Sequence, residues 1–159
     1  MKFYHRWQAQ EVKNGLNRHR VVLLTGPRQC GKTTLAKEFI SEDVGYVTLD
    51  DLVWYESAKL DPQSFVDQDK RTLIIDEVQR VPLLLIAIKK IVDENLKPGQ
   101  FLITGSANIQ EIPTVRESLA GRITRVRLRT LSQGEILGAK PSFFEYAFIQ
   151  NFKYSFEKQ

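Results

Sequence analysis

Glycine, lysine and threonine recur in one short stretch of this chain at a spacing suited to holding phosphate groups. The stretch is GPRQCGKTT, residues 26–34, in which Gly26 and Gly31 flank four residues and Lys32 and Thr33 follow at once. Glycine has no Cβ, so backbone N–H groups can approach an anion closely. The lysine adds a positive charge and the threonine hydroxyl can bind Mg²⁺. The pattern predicts a phosphate-binding loop rather than an ordinary glycine-rich turn.

An apolar run that ends in two carboxylates provides a second set of candidate groups. Residues 71–77 have the sequence RTLIIDE, which predicts a short strand ending at Asp76 and Glu77. Beside a phosphate-binding loop, an aspartate at this place helps to hold Mg²⁺. Glu77 is suited to polarise an attacking water molecule. Any strand can end in an acidic turn, so this prediction depends on the loop upstream.

Polar side chains also follow two other predicted strands. Residues 101–108, FLITGSAN, begin with an apolar segment and end in small polar residues. Ser106 and Asn108 are candidates to contact a terminal phosphate or the water, because ligand sites of open parallel sheets lie beyond the carboxyl ends of the strands. Asp50 and Asp51 follow a predicted strand over residues 45–49. They either face the same site or cap a helix.

These groups depend on the elements that must position them. Residues 21–24 predict a buried strand before the loop and residues 34–40 a helix after it, which is the arrangement that the loop requires. An amphipathic helix over residues 6–17 either covers an edge of the sheet or places Phe3, Tyr4 or Trp7 near a nucleotide base. Further expectations are a helix entry at Asp61 and Pro62 with Phe65 and Val66 as anchors, and a buried helix over 81–94, with Pro82 in its first turn, that residues 97–99 terminate.

Three arginines alternate with apolar residues further along the chain. In residues 123–129, ITRVRLR, the alternation of Arg125, Arg127 and Arg129 with Val126 and Leu128 predicts a half-buried strand at a sheet edge. The arginine face is either a solvated edge that discourages pairing with another strand or a surface for phosphates of nucleotide or DNA.

The last twenty residues are rich in aromatic side chains. Phe144, Phe148 and Phe152 are four residues apart, so a helix would place them on one stripe. Such a stripe belongs to a core, or it serves self-association or a protein partner.

The composition bounds the class of protein. A chain of 159 residues with 42% hydrophobic and 26% charged residues is sufficient for one globular domain. No apolar run approaches the roughly 20 residues that span a bilayer, so we expect no membrane segment. The first residues lead into no apolar signal segment and the single cysteine cannot form an internal disulfide, which favours the cytoplasm. The net charge of +4 permits DNA contact without requiring it.

Taken together, the motifs resemble a family of bacterial and archaeal AAA-type ATPases whose ATPase core is followed by a C-terminal domain of nuclease-like appearance. The matching stretches are GPRQCGKTT, the Asp61-Pro62 pair, LIIDEVQRVP, FLITGSAN and SLAGRITRVRLRTLSQGE. The resemblance implies a three-layer α/β fold with a five-stranded parallel sheet, in which the strand before the loop is central. It also implies an ATPase domain over residues 1–137. The chain departs from the family in its length, so residues 138–159 are expected to be an aromatic-rich remainder of a longer architecture, in either a truncated gene product or an excised ATPase domain.

Two functions of different classes are predicted. The first is an Mg²⁺-dependent ATPase, and ATP is favoured over GTP because the chain has no Asn-Lys-x-Asp or Thr-Lys-x-Asp sequence. The alternative is a nucleotide-gated module that binds DNA or a protein and hydrolyses slowly or not at all. In the ATPase, the phosphates lie against Gly26, Pro27, Arg28, Gln29, Cys30, Gly31, Lys32, Thr33 and Thr34, Mg²⁺ binds Thr33 and Asp76, and the resemblance assigns catalytic roles to Lys32, Glu77, Ser106 and Arg122.

Overall fold

Five strands form the framework of the chain. The computed structural model describes residues 3–106 and 121–139. In these ranges the strands are β1 (Val21–Gly26), β2 (Val44–Thr48), β3 (Thr72–Asp76), β4 (Phe101–Ser106) and β5 (Ile123–Arg127). They form one sheet in the spatial order β2-β3-β4-β1-β5, and every neighbouring pair is parallel. The predicted α/β fold with a five-stranded parallel sheet is confirmed.

Helices lie on both faces of this sheet. They are α1 (Gln8–Arg18), α2 (Lys32–Lys37), α3 (Leu52–Leu60), α4 (Pro62–Val66), α5 (Leu84–Glu94) and α6 (Gln133–Ile136), and a short 3-10 turn covers Val78–Arg80. Within the described ranges, none of these helices combines the length and the apolar character needed to cross a lipid bilayer.

The strand before the loop is interior but not central. Three strands lie on one side of β1 and only β5 lies on the other, so the third strand of the five is β4. The expectation of a central β1 is therefore wrong. The order has a consequence for the site, because β4 separates the loop strand β1 from the acidic strand β3 and its end lies between theirs.

The side chains of β1 alternate between two hydrophobic cores. Val21 and Leu23 pack into the core beneath α3, α4 and α5, whereas Val22 and Leu24 pack into the core shared with α1 and α2. All six residues of the strand are buried, as a strand covered on both faces requires. Each fully buried aliphatic side chain contributes about 1.5–3 kcal/mol, so the loop that follows β1 starts from a rigid position.

Helix boundaries follow local sequence signals. Asp61 accepts a hydrogen bond from the Ser64 N–H at the start of α4, Pro62 is its first residue, and Phe65 and Val66 are buried, as predicted. The helix predicted over 81–94 begins later, at Leu84, so that Pro82 precedes it.

The arginine-rich segment forms the expected edge strand. Among the described residues β5 pairs only with β1. Val126 and Leu128 are buried, and Arg125, Arg127 and Arg129 are exposed. Asn108 and the aromatic residues Phe144, Phe148 and Phe152 lie outside the described ranges.

Candidate functional site

The loop between β1 and α2 curves through two left-handed backbone positions. Gly31 has φ of +94° and Gln29 has φ of +60°. Successive N–H groups in such a turn make a concave surface that attracts anions. Gly26 must lack a side chain, because a Cβ there would lie 2.3 Å from the carbonyl oxygen of Leu128. The strand exit and the loop are therefore packed too closely for any residue but glycine.

The lysine of the loop points into this concave surface. Lys32 is buried, and its Nζ donates hydrogen bonds to the carbonyl oxygens of Gly26 at 3.3 Å and Pro27 at 3.0 Å. A buried ammonium group is stable only when polar partners surround it. Carbonyl oxygens are weaker partners than phosphate oxygens, so the same position suits an anionic ligand.

Asp76, at the end of β3, accepts three hydrogen bonds. Its Oδ2 accepts from the Thr33 hydroxyl at 2.7 Å and the Tyr46 hydroxyl at 3.4 Å, and its Oδ1 accepts from the Thr104 hydroxyl at 2.5 Å. Burial, together with the charge of Asp76, raises the pKa of Tyr46 to about 12, so this phenol remains a donor. Asp76 itself is only 2% exposed, and its partners hold the carboxylate beside the loop.

The donor set fits a magnesium ion. The Thr33 hydroxyl and the Asp76 carboxylate supply oxygen ligands, which Mg²⁺ prefers. In the part of the chain that the structure describes, no cluster of three or more His, Cys, Asp or Glu side chains could hold a metal alone. At nucleotide sites, one or two carboxylates combine with phosphate oxygens and water around Mg²⁺.

Glu77 adopts an unusual backbone conformation that redirects its side chain. Its φ is +60°, in the left-handed region that few non-glycine residues enter. Its N–H donates to the Thr104 hydroxyl at 3.0 Å, which in turn donates to Asp76. Its carboxylate accepts a hydrogen bond from the Gln79 amide, whose oxygen accepts from the Ser106 N–H at 3.4 Å. The ends of β3 and β4 are thus linked through one glutamine.

An open cleft of about 770 Å³ is lined by several of these groups; Asp76 is not among the lining residues and reaches the cleft only through its hydrogen bond with Thr33. The cleft contains the predicted residues Lys32, Thr33, Glu77 and Ser106. It also contains Gln79 and Arg80, which were not predicted from the sequence. The residues that line it are Arg28, Gln29, Gly31, Lys32, Thr33, Thr34, Asp50, Glu77, Gln79, Arg80 and Ser106. Gln79 and Arg80 follow the acidic pair within three positions of Glu77, and that proximity is the signal from which they could have been found.

Arg80 is held at the rim of the cleft. Its Nη1 lies 2.5 Å from Asp50 Oδ1, and its guanidinium lies 5.3 Å from the ring centre of Tyr55. The two aspartates after β2 divide the expected roles. Asp50 faces the cleft, whereas Asp51 caps α3 by accepting hydrogen bonds from the N–H groups of its first turn.

The structure does not bring Arg122 to this cleft. Arg122 precedes β5, whose first residue is in register with Val21 at the start of β1. The loop follows the other end of β1, about 17 Å away at about 3.3 Å per residue. Arg122 forms an ion pair with Asp93 near the end of α5. The expectation that Arg122 is a catalytic residue of its own chain is therefore corrected. Because β5 is parallel to β1, a residue that precedes β5 lies at the amino end of the sheet, and the loop lies at the carboxyl end.

A second cavity lies on the other side of the loop. It has a volume of about 330 Å³ and shares Gln29, Gly31 and Thr34 with the cleft. Phe3 and Tyr4 line it, which fits one of the two roles considered for the N-terminal segment, while α1 packs on β1 and β5. Trp7 points elsewhere, since its indole N–H donates to the carbonyl of Ala139 at 3.0 Å.

Cys30 contributes backbone rather than side chain to the loop. Its thiol belongs to the core beneath α1 and α2 and is 5% exposed. Its carbonyl oxygen accepts a hydrogen bond of 2.7 Å from Arg6. Arg6 also forms an ion pair with Glu135 at 3.0 Å. The sequence analysis missed this pair, although the Ser132-x-x-Glu135 spacing is that of a helix capping box, which the structure contains.

Comparison with known proteins identifies the family. The family described as AAA domain matches residues 18–137. The chain belongs to the AAA domain family. Two curated proteins, from Mycobacterium bovis and Mycobacterium tuberculosis, are each 36% identical to this chain over 129 residues. Both are described as uncharacterised. The match covers 80% of the chain but only 29% of each relative, so the chain spans less than a third of their length.

Solved structures confirm the fold of the AAA domain. In a structure of Pif1 helicases that unwind forked double-stranded DNA, one chain superposes with a TM-score of 0.52 at 14% sequence identity. The match covers 91% of this chain and 47% of that one. At this identity the likeness concerns the fold alone.

Proposed function

We propose that this AAA domain, taken as the unit over residues 1–137, binds ATP with Mg²⁺ and hydrolyses its γ-phosphate. The observation that carries the proposal is the 2.7 Å hydrogen bond between Thr33 of the loop and the buried Asp76 of β3. It supports a common site for two motifs that are separated in sequence. The backbone of residues 26–34 would surround the phosphates, and Lys32 would exchange its carbonyl partners for phosphate oxygens.

Thr33 and Asp76 would hold the magnesium ion. When bound, Mg²⁺ neutralises charge on the terminal phosphates and fixes their orientation. The Tyr46 and Thr104 hydroxyls keep the Asp76 carboxylate in place by hydrogen bonding. A carboxylate held by three hydroxyl groups loses little further freedom on binding a ligand.

Glu77 is proposed to orient the attacking water, and its left-handed backbone supports this role. Such strained positions often occur at functional sites. Ser106, in the same cleft, would contact the γ-phosphate. Arg80 is proposed to stabilise negative charge as it develops, because Arg80 lines the cleft and Arg122 does not. Asp50 would then release Arg80 to the phosphate.

The second cavity is proposed to receive the nucleotide base. A base stacked near Phe3 and Tyr4 would lie on one side of the loop while the phosphates lay on the other. Shared lining by Gln29, Gly31 and Thr34 supports a single ligand that passes over the loop.

One contact favours the second candidate, a nucleotide-gated module with little hydrolysis. Gln79 donates a hydrogen bond to the Glu77 carboxylate, and this bond engages the carboxylate that would otherwise orient the water. If this contact persists in the nucleotide complex, the domain would bind ATP and turn it over slowly. Its partner would then be DNA or a protein.

A single-turnover assay tests the proposal. Protein in excess over radiolabelled ATP should release phosphate with Mg²⁺ present and not with EDTA. Asp76→Asn should lose this activity, whereas Asp93→Asn, which alters a carboxylate at the opposite end of the sheet, should retain it. ATP binding without phosphate release would favour the gated module. Absence of both binding and release in the folded protein would contradict the proposal.

A further inference from the structure

Arg6 connects three separate segments at the carboxyl end of the sheet. Its Nη1 donates to the Cys30 carbonyl at 2.7 Å, its Nη2 donates to the Arg129 carbonyl at 2.6 Å, and its Nε donates to Glu135 at 3.0 Å. The Arg6 and Glu135 side chains are 6% and 2% exposed. A buried guanidinium must have its donors satisfied, and here each partner comes from a different part of the chain.

The partner in the loop is placed where its orientation matters. A trans peptide unit is planar, so its C=O and its N–H point in opposite directions. Arg6 holds the C=O of the peptide unit between Cys30 and Gly31, and thereby directs the Gly31 N–H away from itself. A Cβ on Gly31 would lie 3.4 Å from Arg6 Nη1, so the guanidinium packs directly against this part of the loop.

Glu135 fixes Arg6 in turn. The carboxylate accepts hydrogen bonds from the backbone N–H groups of Trp7 and Ser132, at 3.0 and 2.9 Å, besides the one from Arg6. Gly134 leaves room for this arrangement, because a Cβ there would lie 2.5 Å from the Trp7 ring. Helix α6 and the N-terminal segment are therefore joined around the guanidinium.

We infer that Arg6, fixed by Glu135, is a positioning residue for the phosphate-binding loop and sets its affinity for the triphosphate. The inference rests on the proposed function and deepens it. Arg6 is not among the residues that line the cleft proposed for the phosphates, although it lines the second cavity. It is inferred to act through the peptide unit between Cys30 and Gly31. Phe3 and Tyr4 precede it in the other cavity, so a role confined to the base is the rival explanation.

Two ligands separate these explanations, because inorganic tripolyphosphate has the phosphates of ATP and no base. Titration calorimetry in the presence of Mg²⁺ should measure the affinity of the full chain for each of the two ligands. The test variant is Arg6→Met combined with Glu135→Gln, which removes both charges while the new amide at position 135 still completes the helix cap. Arg6→Lys is the second variant, since an ammonium cannot serve three segments as a guanidinium does.

The control is Arg20→Met. Arg20 also donates to a backbone carbonyl, that of Val92 at 2.7 Å, but at the opposite end of the sheet. Melting temperatures of all variants should be recorded, so that a loss of stability is seen separately from a loss of affinity.

We expect both Arg6 variants to lose affinity for ATP and for tripolyphosphate by the same factor, about tenfold. Arg20→Met should bind both ligands as the unmodified chain does. If ATP weakens and tripolyphosphate does not, Arg6 serves the base cavity and the inference is overturned. Unchanged affinity for both ligands in a folded Arg6 variant also overturns it. If the unmodified chain binds neither ligand, the proposed function itself fails.

Discussion

The two ends of the sheet each carry an arginine paired with a carboxylate, and the two pairs differ in almost every other respect. At the carboxyl end, Arg6 and Glu135 are 6% and 2% exposed and Arg6 also contacts the loop backbone. At the amino end, Arg122 and Asp93 are 28% and 37% exposed. The hydrogen bond from Arg122 lowers the pKa of Asp93, but solvent screens such a pair and it contributes little to stability.

The difference shows where the fold concentrates polar groups. At the same end of the sheet lie Asp76, Thr104 and Lys32, all nearly inaccessible and all hydrogen bonded. In a parallel sheet the loops that follow the strands converge at the carboxyl end, whereas the amino end receives the chain only as it enters each strand. Whether an arginine contributes to the site is therefore indicated mainly by the end of the sheet at which it lies.

The difference between the two ends of the sheet is tested most sharply by replacing one arginine at each end with methionine. Arg80→Met should lower single-turnover hydrolysis by about 100-fold, because the charge proposed to stabilise the developing negative charge is lost. Arg122→Met should leave the rate within about twofold, as expected for a surface pair. Rapid-quench measurements on dilute protein check both. A larger loss in Arg122→Met would place the decisive arginine at the amino end.

The buried pair also predicts a dependence of stability on pH. Burial opposes the charge of Glu135, yet hydrogen bonds from Ser132, Arg6 and Trp7 prevail and lower its pKa from 4.5 to about 2. Because the pKa is lower in the folded state, the contribution is complete above about pH 5 and is lost as the pH falls toward 2. It amounts to about 3 kcal/mol.

Urea unfolding of the unmodified chain and of Glu135→Gln between pH 7 and pH 2.5 measures this contribution. The difference in unfolding free energy should be greatest at pH 7 and should shrink as the solution is acidified. Asp93→Asn, at the exposed pair, is the matched comparison and should show a much smaller change. A difference for Glu135→Gln that does not vary with pH would argue against a charged Glu135 in the folded protein.

Much of the fold could be predicted because its signals are local. The apolar run at residues 21–24, the Asp61-Pro62 helix entry and the alternation about Val126 each specify an element within a few residues. Strand order is different, since it depends on which strands pair across the chain. A central β1 was implied only by the family resemblance, and in the structure β4 lies at the centre.

The candidate site divides in the same way. The contact of Thr33 with Asp76 follows from two recognisable motifs, whereas Arg6 and Glu135 are 129 positions apart and only the folded chain brings them together. Arg122 shows the converse, because a residue within a matching motif lies at the wrong end of its strand for this cleft.

The smallest expected effect concerns the exposed arginines of β5 and of the two residues that follow it. If Arg125, Arg127 and Arg129 contact DNA, they do so through phosphates, so the affinity should fall with salt at a slope of about −0.9 per contact. Replacing all three by alanine should reduce that slope by about three, as measured by fluorescence anisotropy between about 50 and 200 mM salt. No binding at low salt, or an unchanged slope, would leave these arginines as a solvated edge.

The division of labour within the cleft is the central claim, and one paired measurement tests it most directly. Lys32→Ala should weaken Mg-ATP binding by about 100-fold, because the charge inside the loop is lost. Glu77→Gln should bind Mg-ATP as the unmodified chain does and lose hydrolysis by about 100-fold or more, because only the carboxylate proposed to orient the water is altered. Equilibrium binding and single-turnover hydrolysis should be measured on the same samples. Equal loss of binding in the two variants, or unimpaired hydrolysis in Glu77→Gln, would contradict the account.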